Sequence, residues 1–363
     1  MKKILAASVA VLAMSQVATA ADTIVAPEPE AVEYVRVCDA YGKGYFYIPG
    51  TETCLRFAGY VRYDVSGGDN AYARVPSTRD MDTYAQLTRF TFRSFTGTET
   101  ELGTLKTVTE VRYQWYNGAD SSSSGSLRLG FIELGGLRVG LDQSAFVTFT
   151  DYLGNVLNDD VILAGGYRTN LISYTYKNKE GFSATLSLEQ GGNTDADVDV
   201  TIDDYMPHVV GGLKYAQSWG SIAGVAAYDA RNEEWAGKVK VDLKVNDKFS
   251  VWSQFAYKSN DDHYKANANG EVYRMVDSFY GTWGGDWALW GGLAYQATEK
   301  AKLNLQVGYD ASETLMATGN VSYALVPGFN ITPELTYVQW NNKRIALDGE
   351  DAFGLKVRFQ RSF

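Results

Sequence analysis

From Glu234 to Val245 the chain alternates at every step. Trp235, Gly237, Val239, Val241, Leu243 and Val245 take one face; Glu234, Ala236, Lys238, Lys240, Asp242 and Lys244 take the other. Successive side chains of a β-strand point to opposite faces, so this period of two predicts a strand with one apolar and one polar side. Leu55, Phe57, Val61, Tyr63 and Val65 alternate with Arg56, Tyr60, Arg62 and Asp64. Ala301, Leu303, Leu305, Val307 and Tyr309 repeat the pattern, as do Phe353, Leu355, Val357 and Phe359. A soluble sandwich also alternates, so length has to discriminate. Many runs reach roughly 9 to 12 residues, against the usual ~5–6 of soluble sheets and the ~9–11 that a tilted strand needs to cross a bilayer.

Sixteen strands are expected, near 55–65, 83–95, 104–116, 126–134, 137–141, 170–176, 182–190, 208–215, 221–229, 235–245, 249–258, 286–296, 301–310, 314–324, 330–340 and 352–363. Several even-numbered connections are tight, such as Gly135-Gly136 and Asn246 to Lys248, while 66–82, 142–169, 191–207 and 259–285 are long. Outer-membrane barrels combine an even strand count with short periplasmic turns and longer external loops. Aromatics cluster at strand ends, at Tyr113–Trp115, Tyr174–Tyr176, Phe249–Trp252 and Tyr337–Trp340, as the two aromatic girdles of such barrels require. The expected fold is all-β: a transmembrane antiparallel up-and-down β-barrel over residues 55–363. Backbone polar groups left open in lipid are too costly, so the sheet must close.

Residues 1–20 read as a secretory signal peptide, with Lys2 and Lys3, an apolar run and Ala18-Thr19-Ala20. Residues 21–54 form an acidic, Pro-containing lead-in. The net charge of −10 argues against nucleic acid as a partner. Export implies an oxidising compartment, so the two cysteines, Cys38 and Cys54, are expected to form a disulfide.

Residues 35–64, VRVCDAYGKGYFYIPGTETCLRFAGYVRYD, resemble the N-terminal signature of the alphaproteobacterial general porins, the Brucella and Rhizobiales outer-membrane family. The central DDYMPHVVGGLKYA and the closing FQRSF are similar to the same family. The resemblance covers the whole chain after the leader. It implies a homotrimeric, 16-stranded porin of the bacterial outer membrane with an inward-folded third loop. Small hydrophilic solutes and ions would pass by diffusion, with membrane lipid as the outer partner.

The stretch 142–169, DQSAFVTFTDYLGNVLNDDVILAGGYRT, breaks the alternation and carries Asp142, Asp151, Asp159 and Asp160. Long connections without strand character are commonly functional. We expect it to fold into the lumen and narrow it. With Val61, Phe92, Val111, Leu129 and Val139 turned to lipid, Arg56, Arg62, Arg89, Arg93, Arg112, Arg128 and Arg138 turn inward and line one sector of the wall. An arginine on the lipid face would cost about 2–4 kcal/mol near the midplane. Carboxylates opposite guanidiniums would set a transverse field and an ion preference.

Phe363, in phase with Phe359 on the apolar face, resembles the aromatic signal that directs barrels to their insertion machinery. His208, on the lumen face, and His263, in a loop, show no partner in sequence, so no catalytic site, cofactor or metal is expected. Asp203, Asp204, Asp261 and Asp262 lack the fixed spacing of a calcium loop and read as solvated loop charge. The rival reading is a secreted soluble β-sheet protein that binds glycans. It accounts for the Tyr and Trp content but not for long strands and alternating loop lengths.

Overall fold

The structure, a computed structural model, describes residues 36–120, 125–192 and 199–363. The expected leader and most of the lead-in lie outside these residues. The wall contains sixteen strands: β1 (Cys54–Gly68), β2 (Ala85–Thr100), β3 (Gly103–Tyr116), β4 (Ser126–Leu134), β5 (Leu137–Gln143), β6 (Arg168–Lys177), β7 (Phe182–Glu189), β8 (His208–Gln217), β9 (Gly220–Asp229), β10 (Glu234–Lys244), β11 (Phe249–Lys258), β12 (Trp287–Gln296), β13 (Ala301–Asp310), β14 (Thr314–Val326), β15 (Phe329–Trp340) and β16 (Asp351–Ser362). Each pairs antiparallel with the next. The last closes on the first, from Tyr60 opposite Ser362 to Gly68 opposite Gly354. Closure leaves no open edge, so the wall strands pair with one another rather than with water.

At one end the connections are two to four residues long, as at 101–102, 135–136 and 327–328. Gly135 takes φ +58, a left-handed conformation that glycine adopts without strain. At the other end lie the long loops: loop 1 (69–84), loop 3 (144–167), loop 4 (190–207), loop 6 (259–286) and loop 8 (341–350). Below β1, residues 46–47 pair with Leu55 and Cys54, and the Cys38–Cys54 disulfide is formed with Cα atoms 6.1 Å apart.

The outer surface carries the apolar phase of the alternation. Phe57, Val61, Ile132, Leu186, Leu213, Leu289 and Leu355 all stand exposed. Ring pairs mark both rims: Trp235 with Tyr257 and Trp287 with Tyr309 on the loop side, Phe249 with Tyr295 on the turn side. This exposed apolar band on a closed barrel overturns the soluble glycan-binder reading. The buried cluster sits inside the barrel, where Phe146, Leu153 and Ile162 of loop 3 meet Phe279, Tyr280 and Trp283 of loop 6 and Trp290 of the wall.

Three details differ from the expected phase. Trp252 lies opposite Asp242 on the lumen face, and its indole packs against Gly154 of loop 3. Trp340 is buried, so neither belongs to a girdle. Leu129 does not face lipid. A register shift beside Glu110 and Val111 sets Leu129 opposite buried Glu110, and the Arg138 guanidinium lies over Phe131 two residues on. A bulge inserts one extra residue into a strand, and the alternation changes phase across it.

Candidate constriction in the barrel lumen

Loop 3 folds inward and crosses the lumen to the far wall. It starts with the helical turn Ala145–Thr148, capped by the Ser144 hydroxyl, which accepts from the Phe146 amide. The wall then holds it strand by strand. Lys240 donates to the Tyr152 carbonyl and Lys238 to the Ala164 carbonyl, both at 2.8 Å. The Trp290 indole donates to the Ile162 carbonyl at 3.1 Å, and Gln306 to the Asp159 carbonyl at 2.9 Å. Asn320 donates to the Asn155 carbonyl at 3.0 Å. The Glu334 carboxylate accepts from the Leu157 and Asn158 amides, and Lys356 donates to the Asn158 side chain. A non-repeating backbone inside a barrel needs partners for its carbonyls and amides; here lumen-phase side chains supply them.

The four expected carboxylates separate. Asp142 and Thr169 lie in β5 and β6, so the loop proper is shorter than 142–169. Asp142 does not face the arginines from the loop: it is buried on the wall and pairs with Arg138, its neighbour four residues away, at 2.5 Å. Asp151, at φ +61, pairs with Lys214 of β8 rather than with an arginine. Asp159 and Asp160 stay together at the inner edge of the loop. Asp160 accepts from the Tyr72 hydroxyl of loop 1 at 2.7 Å and from the Tyr167 hydroxyl at 3.4 Å. Burial, with Asp160 and Glu334 beside it, pushes the Asp159 carboxyl up to about 7.

The seven arginines also divide. Arg56 sits at the turn end, its guanidinium over Phe95 and Tyr45 at 4.2 and 5.2 Å. Arg138, paired with Glu133 at 2.5 Å as well as Asp142, belongs to the same end. The others form adjoining rows on β1 to β4. Arg93 and Arg112 share Glu110, which is 2% exposed. Arg62 lies directly opposite Arg89 and donates to Gln360 at 2.9 Å. Among the described residues neither Arg62 nor Arg89 forms an ion pair. Arg128 stands at the register shift beside Arg112 and Arg168. Arg358 of β16 extends the rows and holds Asp64 with two 2.8 Å bonds.

Sequence reasoning did not single out Glu110, Glu334, Lys214, Lys238, Lys240, Tyr72 or Arg358. The usable signal was their phase: Lys238 and Lys240 stand on the polar face of a perfectly alternating strand. Both histidines have partners after all. His208 is fully buried, accepts from the Ala230 amide at 2.9 Å and lies 3.4 Å from Asp229, while His263 pairs with Asp277. Asp262 is not solvated: it is buried between Lys258 at 2.9 Å and Arg274 at 3.6 Å. No group of three or more His, Cys, Asp or Glu residues gathers as a metal site among the described residues.

Comparison with known proteins agrees with this geometry. A family model described as "Porin subfamily" matches residues 22–359. Porin Omp2b of Brucella suis biovar 1 is 54% identical over 376 residues, covering 100% of this chain and 99% of the relative; the Brucella melitensis biotype 1 protein gives the same values. In fold the chain is similar to the outer membrane channel DcaP of Acinetobacter baumannii, with TM-score 0.65 at 17% identity over 87% of this chain and 99% of that one. It is also similar to the Salmonella typhi OmpF structure, with TM-score 0.61 at 11% identity over 86% and 98%. The protein is an outer-membrane channel through which small hydrophilic solutes and ions diffuse. By full-length sequence relationship, by its closed 16-stranded wall and by the loop threaded through its lumen, the chain belongs to the porin subfamily.

Proposed function

We propose that loop 3 and the arginine rows of β1 to β4 form the selectivity constriction of this porin. Asp159 and Asp160 supply the acidic side. Arg62, Arg89, Arg93, Arg112 and Arg128 supply the basic side, and Arg358 joins them. The observation that carries this reading is the threading of loop 3 across the lumen, which brings Asp160 against the Tyr72 hydroxyl of loop 1 and sets Asp159 near enough to Arg358 of β16 for their charges to interact. Asp142, Asp151, Arg56 and Arg138 instead condition the turn-side vestibule, each close to an opposite charge or an aromatic ring. Charge on a pore wall selects ions through a field that salt screens.

Reversal potentials across a salt gradient test this. At pH 8, where both are ionised, Asp159→Asn with Asp160→Asn removes two negative charges and should move preference toward anions. At 1 M salt, where the Debye length is ~3 Å, the change should fade. In the wild type, lowering the pH from 8 through 7 to 6 neutralises Asp159, so its preference should approach that of the variant. A double variant indistinguishable from wild type at low salt would refute the assignment.

The proposal extends to assembly. The outer face of β2 and β3 carries Ser94, Thr96, Thr107 and Thr109, bonded to one another across the strands, beside a cluster of Phe57, Phe90 and Phe92. Hydroxyls there suit a second copy better than lipid tails, which supports the homotrimer. At the seam Phe363 exchanges two 3.0 Å backbone bonds with Gly59, and its ring covers that glycine. Phe363 thereby seals the turn-side end of the seam, consistent with an assembly role. The leader over 1–20 and the disulfide suit an exported chain. Deleting Phe363 should lower the yield of heat-modifiable trimer on gels without altering secretion; full yield, or a heat-modifiable monomer, refutes the respective part.

A further inference from the structure

Loop 6 is a second inward segment, and the constriction reading gives it no task. Its hairpin, Tyr264–Ala266 paired with Val272–Arg274, stays near the mouth, but its descending limb enters the barrel. There Phe279, Tyr280 and Trp283 are each at most 1% exposed. The limb is fixed to the wall at its base. Asp262 accepts from the Gly285 amide at 2.7 Å and pairs with Lys258, while Asp310 of β13 accepts from the Gly284 amide at 3.0 Å.

From this fixed limb two contacts reach the closing end of loop 3. The Gly166 amide donates to the Phe279 carbonyl at 2.6 Å, and the Gly165 amide to the Thr282 hydroxyl at 2.8 Å. Contact is close enough that a Cβ on Gly166 would fall 2.5 Å from the Phe279 ring. A third contact reaches the opening end. The Tyr280 ring meets Phe146 edge-on at 5.3 Å, and its hydroxyl donates to Glu189 at 3.0 Å. Glu189 of β7 also accepts from the Ser144 hydroxyl at 2.7 Å and the Ala145 amide at 2.9 Å. One buried carboxylate therefore joins the wall, the first turn of loop 3 and the limb of loop 6. Buried polar networks of this kind fix a single arrangement when every member is satisfied.

We propose that loop 6 is the brace that sets the aperture, with Tyr280 and Glu189 as positioning residues that act through loop 3. This rests on loop 3 being the constriction, yet it makes a separate claim: both ends of the loop are clamped together by loop 6, independently of the charges at its inner edge. The brace carries no charge into the ion path, so its loss should change how steadily the aperture is held rather than which ion it prefers.

Single-channel recording of Tyr280→Phe separates the two. The ring and the Phe146 contact remain while one hydrogen bond is lost. Excursions from the main open level should become about fivefold more frequent, the population change that ~1 kcal/mol produces. The reversal potential and the thermal stability of the barrel should stay as in wild type. Gly166→Ala, which forces Phe279 aside, should give the same noise at a changed mean conductance. Open-level noise at the wild-type value in both variants overturns the brace and leaves the constriction standing. Noise that rises only together with loss of heat stability also overturns it, because the residues would then support the wall alone. Should Asp159→Asn with Asp160→Asn fail to shift selectivity while Tyr280→Phe is noisy, it is the charge assignment that falls.

Discussion

The near wall, β1 to β4, and the far wall, β10 to β15, come from the same alternating pattern but use their polar phase in opposite ways. On the near wall Arg62 and Arg89 stand directly opposite each other with no carboxylate in ion-pair range among the described residues. On the far wall Lys238 and Lys240 are 4% and 3% exposed, and they donate to backbone carbonyls of loop 3. Like charges opposite one another cost stability. A buried ammonium is tolerable only when hydrogen-bonded. The near wall accepts repulsion between half-buried guanidiniums, whereas the far wall buries its ammonium groups completely and holds a loop. One side of the lumen therefore works by field, the other by attachment.

The sharpest way to break this contrast is to cut an attachment. Lys238→Met removes the donor to Ala164, a bond to a charged group of ~1.5–3 kcal/mol, so displacement of loop 3 should become roughly 10- to 100-fold more frequent. Larger, noisier single-channel conductance would register it; a quiet channel of normal size would mean that the far wall does not hold the loop.

A smaller effect is expected from the near wall. Arg62→Gln with Arg89→Gln should move the reversal potential toward cations at unchanged conductance noise. Stability should hold or rise slightly, since a like-charge pair is removed. These two are better targets than Arg93 and Arg112, whose loss would strand buried Glu110. Exposed Asp261→Asn marks the zero of the scale. Asp262 cannot serve there, being locked between Lys258 and Arg274. If the Arg62 and Arg89 pair changed noise as strongly as Lys238→Met, the division between field and attachment would collapse.

The wall was legible because alternation is a local signal: side-chain direction follows residue by residue from strand geometry. Loop 3 was legible as an interruption of that signal. Partnership was not, because it depends on register between strands distant in sequence. Nothing near Asp142 indicates that Arg138 claims it before any loop carboxylate can face the arginines. Nothing around Leu129 marks the bulge that turns it inward. Trp252 and Trp340 looked like girdle residues because aromatics at strand ends serve both faces; Trp252 is covered from within by loop 3 at Gly154, and Trp340 is buried in the interior cluster. Loop 6 was hidden for the same reason, since its role exists only in contact with loop 3.

The seam between β1 and β16 has a consequence for biosynthesis. Pairing of Tyr60 with Ser362 and Gly59 with Phe363 joins two ends of the chain. No earlier strand can substitute, because β15 already occupies the other edge of β16 and β2 that of β1. Until β16 has been translated and exported, fifteen strands carry an open edge and an apolar face with neither lipid nor a partner to cover them. Such edges template aggregation. The interval between export and closure is thus one in which the open edges must be kept from pairing with other chains until the closing strand arrives.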